Sequence, residues 1–121
     1  HKVQRLIKEG FARALAEVDV IVAPTAPLPA IVPDADVVSI KGVDYSLRLT
    51  RDEVLGRQTH LANRTGLPAI SVPCGFSDGM PVGLQIIGRP FDEPMVYRVA
   101  AAYEAVSPSS GALAPLATGS G

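Results

Sequence analysis

The sequence lacks the features expected of a disulfide-stabilised, nucleic-acid-binding, membrane-spanning or metal-binding protein. Its one cysteine, Cys74, cannot form an internal disulfide, which favours a reducing, cytoplasmic location. The 11 basic and 12 acidic residues give a formal net charge of −1, so no charge pattern favours nucleic acid or an anionic membrane as a partner. No apolar run approaches the roughly 18 residues that a membrane-spanning helix needs. One cysteine and two histidines lack metal-ligand spacing, and neither a metal nor another cofactor is expected.

The hydrophobic pattern predicts an α/β chain, and the length of 121 residues allows one small domain. Apolar residues recur at helical spacing over residues 2–17. The apolar run at 20–23 is typical of a strand buried on both faces. Four prolines make residues 24–49 look irregular. A second helix is expected to start at the capping box formed by Thr50 and Glu53.

The second half of the chain predicts an antiparallel strand pair. Gly66 and Pro68 end the second helix, because glycine accepts a left-handed conformation and proline cannot continue the helix. Strands are expected at 69–72 and 82–87. The roughly nine residues between them are too few for a crossover helix, so the two strands should run antiparallel.

The chain is predicted to close with a helix that starts at Asp92 and ends near residue 106. Residues 1–106 would then form the domain portion and residues 107–121 a flexible tail. The element order is α-β-loop-α-β-β-α. A three-stranded sheet is thin for a free-standing domain, so we expect further strands outside this sequence.

Three segments resemble the amidase signature family of C–N hydrolases. Residues 19–27, DVIVAPTAP, resemble the family's strand followed by P-T-x-P. Residues 63–75, NRTGLPAISVPCG, and residues 79–88, GMPVGLQIIG, resemble N-L-T-G-L-P-A-I-S-V-P-x-G and G-L-P-V-G-L-Q-I-I-G. The likeness runs over about residues 5–106. The chain is thus identified as the C-terminal segment of a family member, related to the A subunit of the glutamyl-tRNA(Gln) amidotransferase.

The resemblance implies a larger α/β domain, in which a mixed sheet lies between helices. It also implies cleavage of carboxamides by a Ser–cis-Ser–Lys triad through an acyl-serine intermediate. A serine hydroxyl needs an adjacent base, and the oxyanion needs preorganised donors. No serine and lysine of this sequence match that pattern, and Ser109-Ser110-Gly111 in the predicted tail is interpreted as a chance likeness. We therefore predict no catalytic residue here and no activity from the chain alone.

Gly56, Thr59 and Asn63 are the candidate substrate-binding residues, since they share one helix face. The resemblance implies that this helix faces the substrate pocket. At Gly56 the amidotransferase is expected to carry an aspartate that holds the substrate's amino group, so glycine argues against an amino-acid amide. In the alternative interpretation, Gly56 allows close packing, while Thr59 and Asn63 bond backbone groups at the helix ends. Cys74 is interpreted as a packed residue and not a nucleophile.

Three functions stay open at this point. The first is an amidase whose small-molecule amide is bound together with the N-terminal part of the same protein. The second is the A subunit of a glutamine-dependent tRNA amidotransferase, against which Gly56 counts. The third is a non-catalytic binding or scaffold domain that reuses this segment of the fold. Uncovered sheet edges and apolar helix faces also predict a homo-oligomer if the chain is isolated.

Overall fold

The computed structural model describes residues 2–31, 34–47 and 56–114. The α/β class is confirmed, with helices beside antiparallel strands. In chain order the elements are α1 (Lys2–Glu17), β1 (Val20–Pro24), β2 (Val37–Ile40), β3 (Val43–Ser46), α2 (Arg57–Thr65), β4 (Ala69–Ser77), β5 (Met80–Gly88) and α3 (Glu93–Val106). The predicted capping box at Thr50 and Glu53 lies outside the described residues.

The main sheet has the strand order β1-β5-β4, and both of its ladders are antiparallel. Ile86 of β5 lies opposite Val22 of β1 and Ile70 of β4. The predicted antiparallel pair is therefore confirmed, although β4 and β5 are each longer than the sequence pattern indicated. Since every ladder among the described residues is antiparallel, the mixed character of a larger sheet stays an expectation.

A tight turn joins β4 to β5. Asp78 and Gly79 both have positive φ, at 49° and 76°, which is typical of a type I′ hairpin turn. This turn is much shorter than the nine-residue connection expected from the sequence. The extra length of β4 includes a bulge at Cys74, because Pro73 lies opposite Gly83 while Gly75 lies opposite Val82.

The prediction of irregular chain over residues 24–49 is wrong for residues 37–46. Strands β2 and β3 form a separate antiparallel hairpin, with Val38 opposite Tyr45. Lys41 and Gly42 make its turn with φ values of 51° and 79°, again as in a type I′ turn. The four prolines that suggested irregularity all precede the hairpin, and the β-branched residues after residue 36 favour strands there: Val37, Val38, Ile40 and Val43.

The apolar core lies between the main sheet and α3. Ile86 is 0% exposed, and Val96 and Ala100 of α3 are 4% and 5% exposed. A Cβ added at Gly88 would lie 2.5 Å from Cγ2 of Val96. Glycine at the end of β5 therefore lets α3 approach the sheet closely. Asp92 stands at the N-cap of α3 as predicted, but its side chain makes no capping hydrogen bond.

Helix α1 and strand β1 form where expected but bury less than expected. Leu15 is the buried residue of α1, while Val3 and Leu6 are 68% and 53% exposed. Burial of β1 on both faces is also wrong, because Val22 is 56% exposed. The physical reason is position: within the described chain β1 is an edge strand of the main sheet, so nothing lies beyond it.

Arg89 holds the end of α1 against the end of β5. Its Nε donates to the carbonyl oxygen of Leu15 at 2.8 Å, and its Nη2 donates to that of Val18 at 3.0 Å. The same Nη2 lies 3.2 Å from the Asp19 carboxylate. These bonds satisfy carbonyls that a helix C-terminus leaves without a partner.

After α3 the described chain continues through a short turn at 107–111. Ser107 and Ser109 join their hydroxyls at 3.0 Å, and Ser109 is 7% exposed. Residues 115–121 lie outside the described part, and the division into a domain and a tail stays a prediction.

Candidate functional site

Two of the candidate substrate-binding residues meet at the start of α2. Gly56 is the N-cap residue, with φ −89° and ψ −4°. The hydroxyl of Thr59 donates to the carbonyl oxygen of Gly56 at 3.0 Å, and Thr59 is half-buried. Thr59 therefore has a local backbone bond, as the structural interpretation predicted. The bond does not test whether Gly56 and Thr59 line a substrate pocket, so that assignment stays a prediction.

Asn63 is exposed, and among the described residues its side chain makes no hydrogen bond, so its role at the helix end stays a prediction. Thr65 donates its hydroxyl proton toward the carbonyl oxygen of Leu61 at 2.7 Å, and the N–H of Gly66 donates to Ala62 at 2.9 Å. With φ at 70°, Gly66 ends the helix as predicted.

The structure forms a cleft at a different place, where the loop after β1 crosses the end of the main sheet. We call it the Thr25–Ser71 cleft; its volume is about 360 Å³. It is lined by Thr25, Ala26, Leu28, Pro29, Ala30, Ile31, Ser71, Pro81, Val82 and Gly83. Gly56, Thr59 and Asn63 are not among these residues, so the three predicted site residues do not meet the cleft.

Two hydroxyls form the polar floor of this cleft. Thr25 Oγ1 and Ser71 Oγ lie 2.6 Å apart although 46 residues separate them in the chain. The N–H of Thr25 donates to the carbonyl oxygen of Gly83 at 3.0 Å, which extends the ladder between β1 and β5 by one residue. Strand pairing therefore brings the hydroxyls together, and sequence spacing alone gave no signal for it.

Gly83 is required beneath the hydroxyl pair. A Cβ at this position would lie 2.7 Å from Ser71 Oγ and 2.8 Å from Thr25 Oγ1. Carbon and hydroxyl oxygen cannot approach so closely, so any side chain here would displace the pair. The missing Cβ thus lets the two hydroxyls come together on this face of the sheet.

A second, apolar cavity of about 530 Å³ lies where the same loop meets β1 and β5. Val22, Pro24, Cys74 and Leu84 are among its lining residues. The Cys74 thiol is half-buried and lies 3.6 Å from the carbonyl oxygen of Val82. His60 lies on α2, whereas Cys74 lies on β4. Across the described ranges no group of three or more His, Cys, Asp or Glu residues is placed to hold a metal ion.

The sequence did not single out the buried amide of Gln85. Gln85 is 4% exposed, and its Oε1 accepts no hydrogen bond from the described residues. The same holds for Oε1 of Gln58 on α2. Gln85 lies directly opposite Ser71, so both side chains point to the face of the sheet that bears the cleft. Its signal in the sequence was one amide within the apolar strand VGLQIIG.

Comparison with known proteins shows the family to which this fold belongs. Residues 1–97 match the amidase family model. The chain belongs to the amidase signature family. It is similar to the A subunit of glutamyl-tRNA(Gln) amidotransferase from Methanosarcina barkeri, with 45% identity over 103 residues, 85% of this chain and 20% of that protein. The chain spans about a fifth of the length of the curated relatives it matches.

Solved structures agree with the fold assignment. The crystal structure of the A subunit of glutamyl-tRNA(Gln) amidotransferase from Thermotoga maritima has a TM-score of 0.70 and 35% identity. That match covers 88% of this chain and 22% of the other. A crystal structure of an amidase gives a TM-score of 0.75 with 25% identity, over 86% of this chain and 23% of the other. The family resemblance and the α/β fold are both confirmed. Among the described helices, none has the length and apolarity to span a membrane.

Proposed function

We propose that this chain is the C-terminal part of a hydrolase that converts a carboxamide to a carboxylate and ammonia or an amine. The observation that carries the proposal is the family match over residues 1–97, at about a fifth of the relatives' length. The reaction would pass through an acyl-serine, with the nucleophile and its base on the part of the protein outside these residues. In this proposal, the chain contributes sheet strands and one wall of the substrate pocket.

The hydroxyl contacts of the described residues support the proposal that the nucleophile and its base lie outside this chain. Ser71 bonds Thr25, and Ser107 bonds Ser109. Neither pair includes a lysine, and a serine hydroxyl without an adjacent base is a weak nucleophile. The two hydroxyl pairs therefore suit binding or packing better than nucleophilic attack.

The experiment is a turnover assay on the full-length protein that contains this chain. A panel of neutral carboxamides and glutamine would be assayed for ammonia release, with the isolated chain of 121 residues as the control. We expect the full-length protein to hydrolyse at least one neutral carboxamide and the isolated chain to hydrolyse none. Turnover by the isolated chain, abolished by a serine-directed acylating probe, would overturn the proposal.

The A subunit of a glutamine-dependent tRNA amidotransferase is the second candidate. It is favoured by relatives of 45–48% identity, which carry the name of the glutamyl-tRNA(Gln) enzyme. Gly56 counts against it, because the resemblance gives that position an aspartate that holds the substrate's amino group. Ammonia release from glutamine, together with no turnover of neutral carboxamides, would favour this candidate over the first.

A further inference from the structure

We propose that the Thr25–Ser71 cleft selects the acyl group of the carboxamide, and that it takes a neutral, largely apolar acyl group carrying one hydrogen-bonding oxygen. This inference rests on the proposed function, because it assumes that the full-length protein acts on a carboxamide. The inference goes beyond the proposed function by naming the residues that set the choice of substrate and the chemistry that they recognise.

The walls of the cleft argue for an apolar ligand. Apart from the two hydroxyls, the described side chains that line it are apolar, and none is charged. The ammonium and carboxylate of glutamine would find no counter-charge among the lining side chains, and each would lose part of its hydration on entering the cleft. A closed cavity of about 150 Å³ holds one benzene molecule. The open cleft of about 360 Å³ therefore has room for an aryl ring with a short linker.

The floor of the cleft argues for one polar group on that ligand. Two hydroxyls carry two protons, and their mutual bond at 2.6 Å uses one of them. One proton and several lone pairs are left for a ligand. Ser71 is exposed, so the pair is accessible from the cleft. A phenolic oxygen on an aryl ring would both accept that proton and donate its own.

The test compares 4-hydroxyphenylacetamide with phenylacetamide as substrates of the full-length protein. The two differ only in the hydroxyl that the pair is expected to bind. We expect a higher kcat/KM for the hydroxylated amide, and a fall of about 5-fold in that ratio for Ser71→Ala and for Thr25→Val, as for the loss of one neutral hydrogen bond. Ser39→Ala, an exposed serine on β2, is the matched control and should leave the ratio unchanged.

The ratio separates recognition from structural damage, because a disturbed fold lowers turnover of both amides alike. If both amides are hydrolysed and the ratio is the same in the wild type, Ser71→Ala and Thr25→Val, the inference is wrong while the proposed function stands. If no carboxamide is hydrolysed at all, the proposed function fails. Equilibrium binding of 4-hydroxyphenylacetamide then tests recognition by the cleft on its own: binding weakened about 3-fold or more by Ser71→Ala supports that recognition, and absent or unchanged binding overturns it.

Discussion

The two faces of the main sheet differ in what they carry. On one face Ile86 packs against Val96 and Ala100 of α3, and all three are at most 5% exposed. The opposite face carries the exposed Ser71, the buried amide of Gln85 and the bare backbone of Gly83, together with the buried Ile87. Apolar packing therefore accounts for the first face but not for Ser71 and Gln85 on the second. If the hydroxyl pair on the second face binds substrate, as we propose, substitutions on the first face should change stability and those at the pair should change the choice of substrate.

The largest expected effect is on the face covered by α3. Ile86→Ala leaves a cavity at a site that is 0% exposed, and we expect it to lower the free energy of unfolding by about 3–4 kcal/mol. Val22→Ala, at its 56% exposed neighbour on β1, should cost less than about 1 kcal/mol. Denaturant unfolding of the purified chain measures both. Equal losses for the two variants would contradict the packing described for this face.

A smaller effect is expected where the polar contacts of Arg89 hold the end of α1. Arg89→Met removes two charge-assisted hydrogen bonds to the end of α1 and the contact with Asp19. We expect a loss of about 2–3 kcal/mol in the free energy of unfolding. Arg98→Met, an exposed arginine on α3, is the control and should change it by less than about 0.5 kcal/mol. A loss no greater than that of Arg98→Met would show that Arg89 does not hold α1.

On the cleft face, replacement of Gln85 should leave the free energy of unfolding unchanged or raise it, unlike the two substitutions above. Because its Oε1 has no donor among the described residues, Gln85→Met removes an uncompensated buried oxygen. We expect the purified chain to be unchanged or more stable by about 1 kcal/mol. Gln4→Met is the contrast, since Gln4 donates to the carbonyl oxygen of Arg64 at 2.8 Å and its loss should destabilise slightly. Destabilisation above about 1 kcal/mol by Gln85→Met would reveal a partner for this amide.

The smallest effect on stability is expected at the hydroxyl pair. Ser71→Ala removes one neutral hydrogen bond at an exposed position, so the free energy of unfolding should fall by about 0.5 kcal/mol. Ser39→Ala should leave it unchanged. The melting temperatures of the two variants, compared with that of Ile86→Ala, measure this difference. A loss at Ser71 as large as that at Ile86 would make the pair a structural element and not a recognition element.

Local sequence patterns predicted the helices and strands that depend on contacts between residues near each other in the chain. The helical spacing of α1 and α3, the left-handed stop at Gly66 and the antiparallel pair of β4 and β5 were all visible in the chain. The β2–β3 hairpin was missed because its two-residue turn, Lys41-Gly42, stood behind a proline-rich stretch.

The cleft itself was beyond prediction for a physical reason. Its two hydroxyls meet only because β1 pairs with the far side of β5 in one register, and no short-range pattern specifies that register. Because the strand register was not visible in the sequence, the candidate site was drawn from helical spacing and the family resemblance instead. It consisted of Gly56, Thr59 and Asn63. Their assignment stays a prediction, whereas the Thr25–Ser71 cleft has a geometry that can be tested.

The central claim is that the packing of Ile86 under α3 stabilises the fold, while the hydroxyl pair on the opposite face of the sheet recognises the substrate. Its most direct test is the ratio of kcat/KM for 4-hydroxyphenylacetamide to that for phenylacetamide, measured in the full-length protein with Ser71→Ala or Ile86→Val. We predict that Ser71→Ala lowers the ratio about 5-fold and that Ile86→Val leaves it unchanged while lowering the melting temperature. An equal change of the ratio in both variants, or a change with Ile86→Val alone, would contradict the claim.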